Sequence, residues 1–287
     1  MRVLETIAET RAALDAARRD GKSIGLVPTM GYLHAGHLSL MHRSAAERDV
    51  TVVTVFVNPL QFGANEDLAS YPRDFERDAA MCDNAGVDIV VHPSVDEMYP
   101  AGLPLLTTIT VDEISAAMEG ASRPTHFAGV ATVVAKLFNI AGMCRAYFGE
   151  KDWQQLAVIR RMAADLSFPV EVVGCPTVRE VDGLAMSSRN AYLAPDERAA
   201  APVLHWALVA GAAAIAAGER DPTRVRALVT ELIEAEPLAE LDYAEVVDAR
   251  TLRGVDPLAG EVRLLAATRF GRARLIDNEG ATIPAPT

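Results

Sequence analysis

The chain has 287 residues, half of them hydrophobic, and a formal net charge of −12 with no basic face or stripe, which argues against a nucleic-acid partner. Cys82, Cys144 and Cys175 are odd in number and widely spaced. They read as packed, reduced thiols rather than a disulfide framework. No apolar run is expected to span a bilayer and residues 1–6 lack a signal-peptide core, so a cytoplasmic chain with no membrane partner is expected.

Residues 5–19 carry Ile7, Ala8, Leu14 and Ala17 among charges, the pattern of a surface helix, with Gly21 as its stop. Residues 23–27 form a short apolar run, a buried strand. The segment Pro28-Thr29-Met30-Gly31-Tyr32-Leu33-His34-Ala35-Gly36-His37-Leu38 follows, and Leu38, Leu40, Met41, Ala45 and Ala46 continue as a helix. Two imidazoles, His34 and His37, therefore stand three residues apart where a helix begins, on one face of it. A helix N-terminus offers unpaired N–H groups and partial positive charge, a natural seat for a phosphate chain. Gly36 would let a nucleotide approach the backbone. Zinc is the other chemical reading, with His34, His37, His42 and His92 as nitrogen donors, but no paired cysteines or His-Glu-x-x-His pattern accompany them.

Residues 50–57 are mostly β-branched and read as a second buried strand. Continuous apolar strands alternating with helices indicate a parallel sheet covered on both faces. The second strand ends in Asn58-Pro59-Leu60-Gln61-Phe62-Gly63. Ligands bind beyond the carboxyl ends of strands in such sheets. If the two strands are neighbours, His34, His37, Asn58 and Gln61 face one crevice; otherwise Asn58 and Gln61 are ordinary turn residues. After a polar stretch, 66–77, a helix is expected from about residue 73 to Gly86, then a strand at 87–91. A loop at 98–102, a strand-like alternation at 105–111 and a short helix from Asp112 to near Gly120 come next. Arg123-Pro124-Thr125-His126-Phe127-Ala128-Gly129 reads as a loop before an apolar helix, 130–140. A strand at 146–148 leads to Gly149-Glu150-Lys151-Asp152 and a helix at 153–165, a second strand–turn–helix. Lys151 there offers a point charge for a phosphate; alternatively the turn is simply solvated, with Asp152 as helix cap. A strand at 170–173 follows.

After Pro176 the character changes. Asp182-Gly183-Leu184-Ala185-Met186-Ser187-Ser188-Arg189-Asn190 reads as a loop rich in donors for phosphate oxygens. Helices at 196–217 and 222–235 precede strands at 243–247, 262–266 and 273–276, an α+β arrangement with its boundary near Thr177. The tail from Gly280 is expected to fray. No phosphate-binding Gly-x-x-x-x-Gly-Lys-Ser/Thr loop, Gly-x-Gly-x-x-Gly or Gly-x-Ser-x-Gly is present. What remains is a nucleotide site built from His-x-Gly-His, a mid-chain lysine and a late Ser-Ser-Arg loop.

Five motifs, in order, resemble those of the pantothenate synthetase (pantoate–β-alanine ligase) family: Pro28-Thr-Met-Gly with His34-Ala-Gly-His37, Phe56-Val-Asn-Pro-Leu-Gln-Phe62, Arg123-Pro-Thr-His-Phe-Ala-Gly129, Phe148-Gly-Glu-Lys-Asp152 and Asp182-Gly-Leu-Ala-Met-Ser-Ser-Arg-Asn190. The resemblance runs from about residue 24 to 278; His-x-Gly-His alone would indicate only the nucleotidyl-transferring superfamily. It implies an α/β fold, with a Rossmann-like parallel-sheet domain at 1–177 and a smaller α+β domain at 178–287. It also implies ligation of pantoate to β-alanine through a pantoyl adenylate, with ATP as substrate, Mg²⁺, and a homodimer. By this likeness, ATP is contacted by Met30, Gly31, Tyr32, Leu33, His34, Ala35, Gly36 and His37. Gly149, Glu150, Lys151, Asp152, Val178, Met186, Ser187, Ser188 and Arg189 complete the nucleotide site. His37 is the catalytic imidazole with His34 beside it, and Lys151 and Arg189 supply fixed positive charge. Gln61 and Gln155 hold pantoate, Gln61 also serves β-alanine, and Asn58 lies with them. Tyr32 is bulkier than the resemblance leads one to expect, and Asp78 is given no metal role.

Overall fold

In a computed structural model that describes residues 1–63, 68 and 71–284, contacts divide the chain into two units. Residues 1–150 and 158–176 make the first; residues 151–157 and 177–287 group as the second. Residues 151–157 thus group with the chain from Thr177 onward.

In the first unit the strands are β1 (Arg2–Leu4), β2 (Ile24–Thr29), β3 (Val50–Val55), β4 (Ile89–Val91), β5 (Cys144–Gly149) and β6 (Val170–Cys175). The helices are α1 (Ile7–Arg19), α2 (Ala35–Glu47), α3 (Phe75–Asn84), α4 (Val95–Met98), α5 (Glu119–Ser122), α6 (His126–Ala141) and α7 (Trp153–Asp165), whose first turn belongs to the second unit. The strands pair in the order β1-β4-β3-β2-β5-β6, all parallel. All six residues of β3 are buried, as a β-branched run with both faces covered requires. Ile24 sits opposite Val50, so the two strands expected to be neighbours are. The chain runs from β2 to β3 and β4 on one side, then returns to β5 on the other. That reversal at β2 is where an open parallel sheet takes ligands. Val27, Leu33, Met41, Val53, Val90 and Tyr147 form the core under this edge. Cys82 and Cys144 are buried and free, and burial pushes both thiols up to about 12, so they stay protonated.

In the first unit the elements differ from expectation in four places. The strand β1 was not expected, since three residues carry no readable period. Residues 105–111 alternate like a strand but pair with none among the described residues. The helix expected from Asp112 forms only at Glu119–Ser122. The segment expected as a loop before residue 130 is already helical from His126, which places His126 and Gly129 in the first turns of α6.

The second unit holds α8 (Pro195–Ala200), α9 (Val203–Ala216), α10 (Pro222–Glu234) and an antiparallel sheet of β7 (Glu240–Asp248), β8 (Gly260–Phe270) and β9 (Ala273–Ile283). The single helix expected at 196–217 is broken at Pro202, which has no N–H to continue the ladder. By length and composition alone Pro195–Ala216 would suffice to cross a membrane, a test that a buried core helix also passes. In this structure Leu204, Leu208 and Ile215 of that stretch are instead buried with Val225, Val229, Leu264 and Phe270. Gly280 of β9 pairs with Arg263 of β8, so the tail expected to fray is strand from Gly280 to Ile283; residues 285–287 lie outside the described residues.

Candidate nucleotide and substrate site

The helix α2 follows β2 after a short turn, and its N-cap is His34 itself. His34 Nδ1 accepts the Gly36 N–H at 3.2 Å, and His37 Nδ1 accepts the His34 N–H at 3.3 Å. The two imidazoles thus form a reciprocal capping box, their ring centroids 4.1 Å apart. A ring nitrogen that accepts cannot carry the proton. In the neutral ring Nε2 is therefore the donor of both histidines. The cap that starts the helix also sets the tautomers.

The turn before the cap is held from α3. Asp78, 1% exposed, accepts the Tyr32 N–H at 2.7 Å and the Leu33 N–H at 2.8 Å, one on each carboxylate oxygen. Arg77 donates to the Leu33 carbonyl at 2.9 Å, and its guanidinium lies 5.3 Å from the Tyr32 ring centroid. Gly31 and Tyr32 both have positive φ, +84° and +51°. A side chain on Gly31 would come within 2.9 Å of Asp78 Oδ2. The sequence raised Asp78 only in connection with a metal, because its partners are backbone groups with no sequence signal.

Beyond β3, Asn58 caps a single 3₁₀ turn, Pro59–Gln61. Asn58 Oδ1 accepts the Leu60 N–H at 3.3 Å and the Tyr99 hydroxyl at 2.7 Å. Its Nδ2 donates to the Gly129 carbonyl at 3.1 Å and to Gln61 Oε1 at 3.0 Å. The backbone partners fix which end of the Asn58 amide is oxygen, and Asn58 in turn fixes Gln61, leaving Gln61 Nε2 as its donor end. Burial raises the Tyr99 phenol well above its usual range, so it stays a neutral donor. Arg123 and His126 both donate to the Gln61 backbone carbonyl, at 3.2 and 3.1 Å. The Arg123–Gly129 segment therefore braces the Gln61 turn. His34, His37, Asn58 and Gln61 all follow the carboxyl ends of the neighbouring strands β2 and β3.

Gly149 closes β5, and Glu150 opens the 3₁₀ turn Glu150–Asp152. In the second unit, Lys151 Nζ lies 3.5 Å from Asp152 Oδ1. The Lys151 carbonyl accepts Asn278 Nδ2 at 2.8 Å. Gln155 is half-buried in α7, beside the buried Gln154. Val178 and Met186 are joined by a backbone bond of 2.9 Å, and Arg179 bridges Ala185, so residues 178–186 form a small hairpin. Ser187 then caps the 3₁₀ turn Ser188–Tyr192 through the Arg189 N–H at 3.2 Å. Arg189 itself is exposed. Where sequence reasoning expected an open loop, a hairpin and a capped turn stand.

A sheet that reverses at β2, with an imidazole-capped helix N-terminus on its carboxyl edge, is the architecture of a nucleotide-handling α/β protein. The sequence model of the pantoate–β-alanine ligase family matches residues 2–280, and the chain belongs to that family. It is 55% identical over 278 residues to a pantothenate synthetase of Heliobacterium modesticaldum, covering 97% of this chain and 98% of that protein. The crystal structure of pantothenate synthetase from Thermus thermophilus matches with a TM-score of 0.90 at 50% identity, over 97% of this chain and 99% of that one. The pantoate–β-alanine ligase from Francisella tularensis, complexed with beta-gamma ATP and β-alanine, matches with a TM-score of 0.77 at 31% identity, over 97% of each chain.

Proposed function

We propose that this chain condenses pantoate with β-alanine at the expense of ATP. The pantoate carboxylate oxygen attacks the α-phosphorus, the bond to the β-phosphate breaks, and pyrophosphate leaves. The β-alanine nitrogen then attacks the acyl carbon of the pantoyl adenylate. The acyl C–O bond breaks, AMP leaves, and the new amide nitrogen loses its proton. The observation that carries this reading is the His34–His37 capping box at the start of α2, on the carboxyl edge of a strand with a neighbour bearing Asn58 and Gln61.

The first step gathers negative charge on a triphosphate and demands little proton transfer, so positioning and donors do most of the work. The Nε2–H groups of His34 and His37 and the backbone amides of the α2 start are donors toward phosphate oxygens; residues 30–37 line that approach. Lys151 and Arg189 supply cationic charge, with Gly149, Glu150, Asp152, Val178, Met186, Ser187 and Ser188 completing the nucleotide contacts. Gln61 and Gln155 hold pantoate without placing a full charge beside its nucleophilic carboxylate. The fixed Nε2 end of Gln61 suits an acceptor on the substrate, a carboxylate or hydroxyl.

Mg²⁺ fits as an ion carried in by the nucleotide. Among the described residues no group of three His, Cys, Asp or Glu side chains stands ready to cage a metal, and Mg²⁺ draws its ligands largely from phosphates and water. When bound, it supplies neutralising charge on the triphosphate. The chain is further proposed to act as a cytoplasmic homodimer on small molecules alone, which light scattering of the purified protein tests for oligomeric state. The deciding assay is AMP formation. It should require pantoate, with full turnover only when β-alanine is added. AMP release that ignores pantoate overturns the assignment.

A further inference from the structure

We infer that Asp277 and Asn278, adjacent on β9, are positioning residues that set the two cationic segments of the second unit for ATP. The inference rests on the reading of Lys151 and Arg189 as nucleotide contacts. Both side chains are nearly fully buried, Asp277 at 4% exposure and Asn278 at 2%. Consecutive residues of a strand face opposite ways, so one dipeptide can reach two different segments.

Asp277 grips Arg179 with both oxygens, at 2.6 Å to Nη1 and 3.1 Å to Nη2. Such a two-pronged charged pair fixes direction as well as distance. The same Nη1 donates to the Gly183 carbonyl at 3.1 Å, in the turn of the 178–186 hairpin. That hairpin delivers the chain to Ser187, whose hydroxyl caps the turn carrying Arg189. Asp277 therefore anchors the base of the Arg189 turn through Arg179.

Asn278 works on the other segment. Its Oδ1 accepts Arg263 Nε at 2.6 Å, and its Nδ2 donates to the Lys151 carbonyl at 2.8 Å. Arg263 has only donors to offer, so the oxygen end must face it and the nitrogen end must face Lys151. The Arg263 guanidinium also stacks 3.8 Å from the Trp153 ring centroid, two residues beyond Lys151. Asn278 Nδ2 and the Arg263–Trp153 stack together hold the Lys151 backbone, from which the ammonium extends. A buried amide that bonds a carbonyl in the segment of a cationic residue is placed to set where that charge sits.

The test is Asn278→Asp in the full chain, with KM for ATP, KM for β-alanine, kcat and thermal stability measured together. The substitution keeps size and improves the partner for Arg263, but sets a carboxylate oxygen against the Lys151 carbonyl. The expected result is a rise in KM for ATP of about tenfold or more, as befits a displaced point charge, with KM for β-alanine within about twofold, whatever the fall in melting temperature. Asn278→Ala, which removes the contact without adding charge, gives a second reading should the carboxylate variant fail to fold. Asp277→Asn should raise KM for ATP in the same selective way. A purely structural dipeptide would lower melting temperature and active fraction while leaving the KM values in place, and that outcome overturns the inference. Lys151→Met serves as the control. If it raises KM for ATP while both Asn278 variants leave it alone, only the positioning role fails; if Lys151→Met leaves ATP untouched, the reading of Lys151 fails and the inference with it.

Discussion

As the third residue of α2, His37 accepts the His34 N–H through Nδ1, and in the proposed reaction it donates from Nε2 to the triphosphate. Substitution can separate the two roles. His37→Ala should cut adenylation by about 10²–10³-fold, as loss of a transition-state donor does. His37→Glu keeps a capping-box acceptor and adds negative charge where the helix end favours it. That variant should melt at or above the parent temperature yet lose at least as much activity, a split that pyrophosphate release and a thermal melt read directly. Asp78 makes the opposite case, a residue whose first effect is on the fold. Asp78→Ala strips the partners from the Tyr32 and Leu33 N–H groups, and an unmet buried donor costs about 1–3 kcal/mol. A clear fall in melting temperature with a raised KM for ATP is expected; unchanged values for both would sink its role as turn brace. The histidine pair was legible because spacing, a following helix and a preceding strand all lie within a dozen residues. Asp78 was not, because it reads backbone amides some 45 positions away.

The elements around the site were read from their periods, and they fail where a partner or a neighbour decides. Residues 105–111 have the alternation of a strand, but alternation alone does not supply a ladder. Pro202 splits a helix whose apolar pattern runs on across it, because composition is blind to a missing N–H. The start of α6 was set four residues late, and there the cause is packing. Gly129 brings that helix so near the Pro59–Gln61 turn that a Cβ would stand 2.1 Å from the Leu60 carbonyl oxygen. This reverses an ordinary sign. A Gly→Ala change inside a helix usually gains up to about 1 kcal/mol. Gly129→Ala instead forces α6 away from the turn that Asn58 and Gln61 occupy, and breaks the Asn58 bond to the Gly129 carbonyl. The melting temperature should drop and KM for pantoate should rise more than KM for ATP. A stabilised variant with unchanged pantoate kinetics would show that the contact relaxes freely.

At the scale of the whole chain, charge and local chemistry oppose each other. The formal net charge of −12 repels a polyanionic nucleotide, while the proposed contacts offer it imidazole, lysine, arginine and helix-end amides. The two act over different ranges. Between about 0.01 M and about 0.15 M salt, the screening length falls from roughly 30 Å to roughly 8 Å. Long-range repulsion is thereby weakened first, and contacts made at hydrogen-bond distance are weakened least. An active site reached by electrostatic attraction loses kcat/KM steeply over this range. Here kcat/KM for ATP should stay level or rise as salt is added, measured at fixed free Mg²⁺ with pantoate and β-alanine saturating. A steep decline would mean that a field of positive sign reaches well beyond the site and outweighs the acidic surface, which the scattered arginines of this sequence do not suggest.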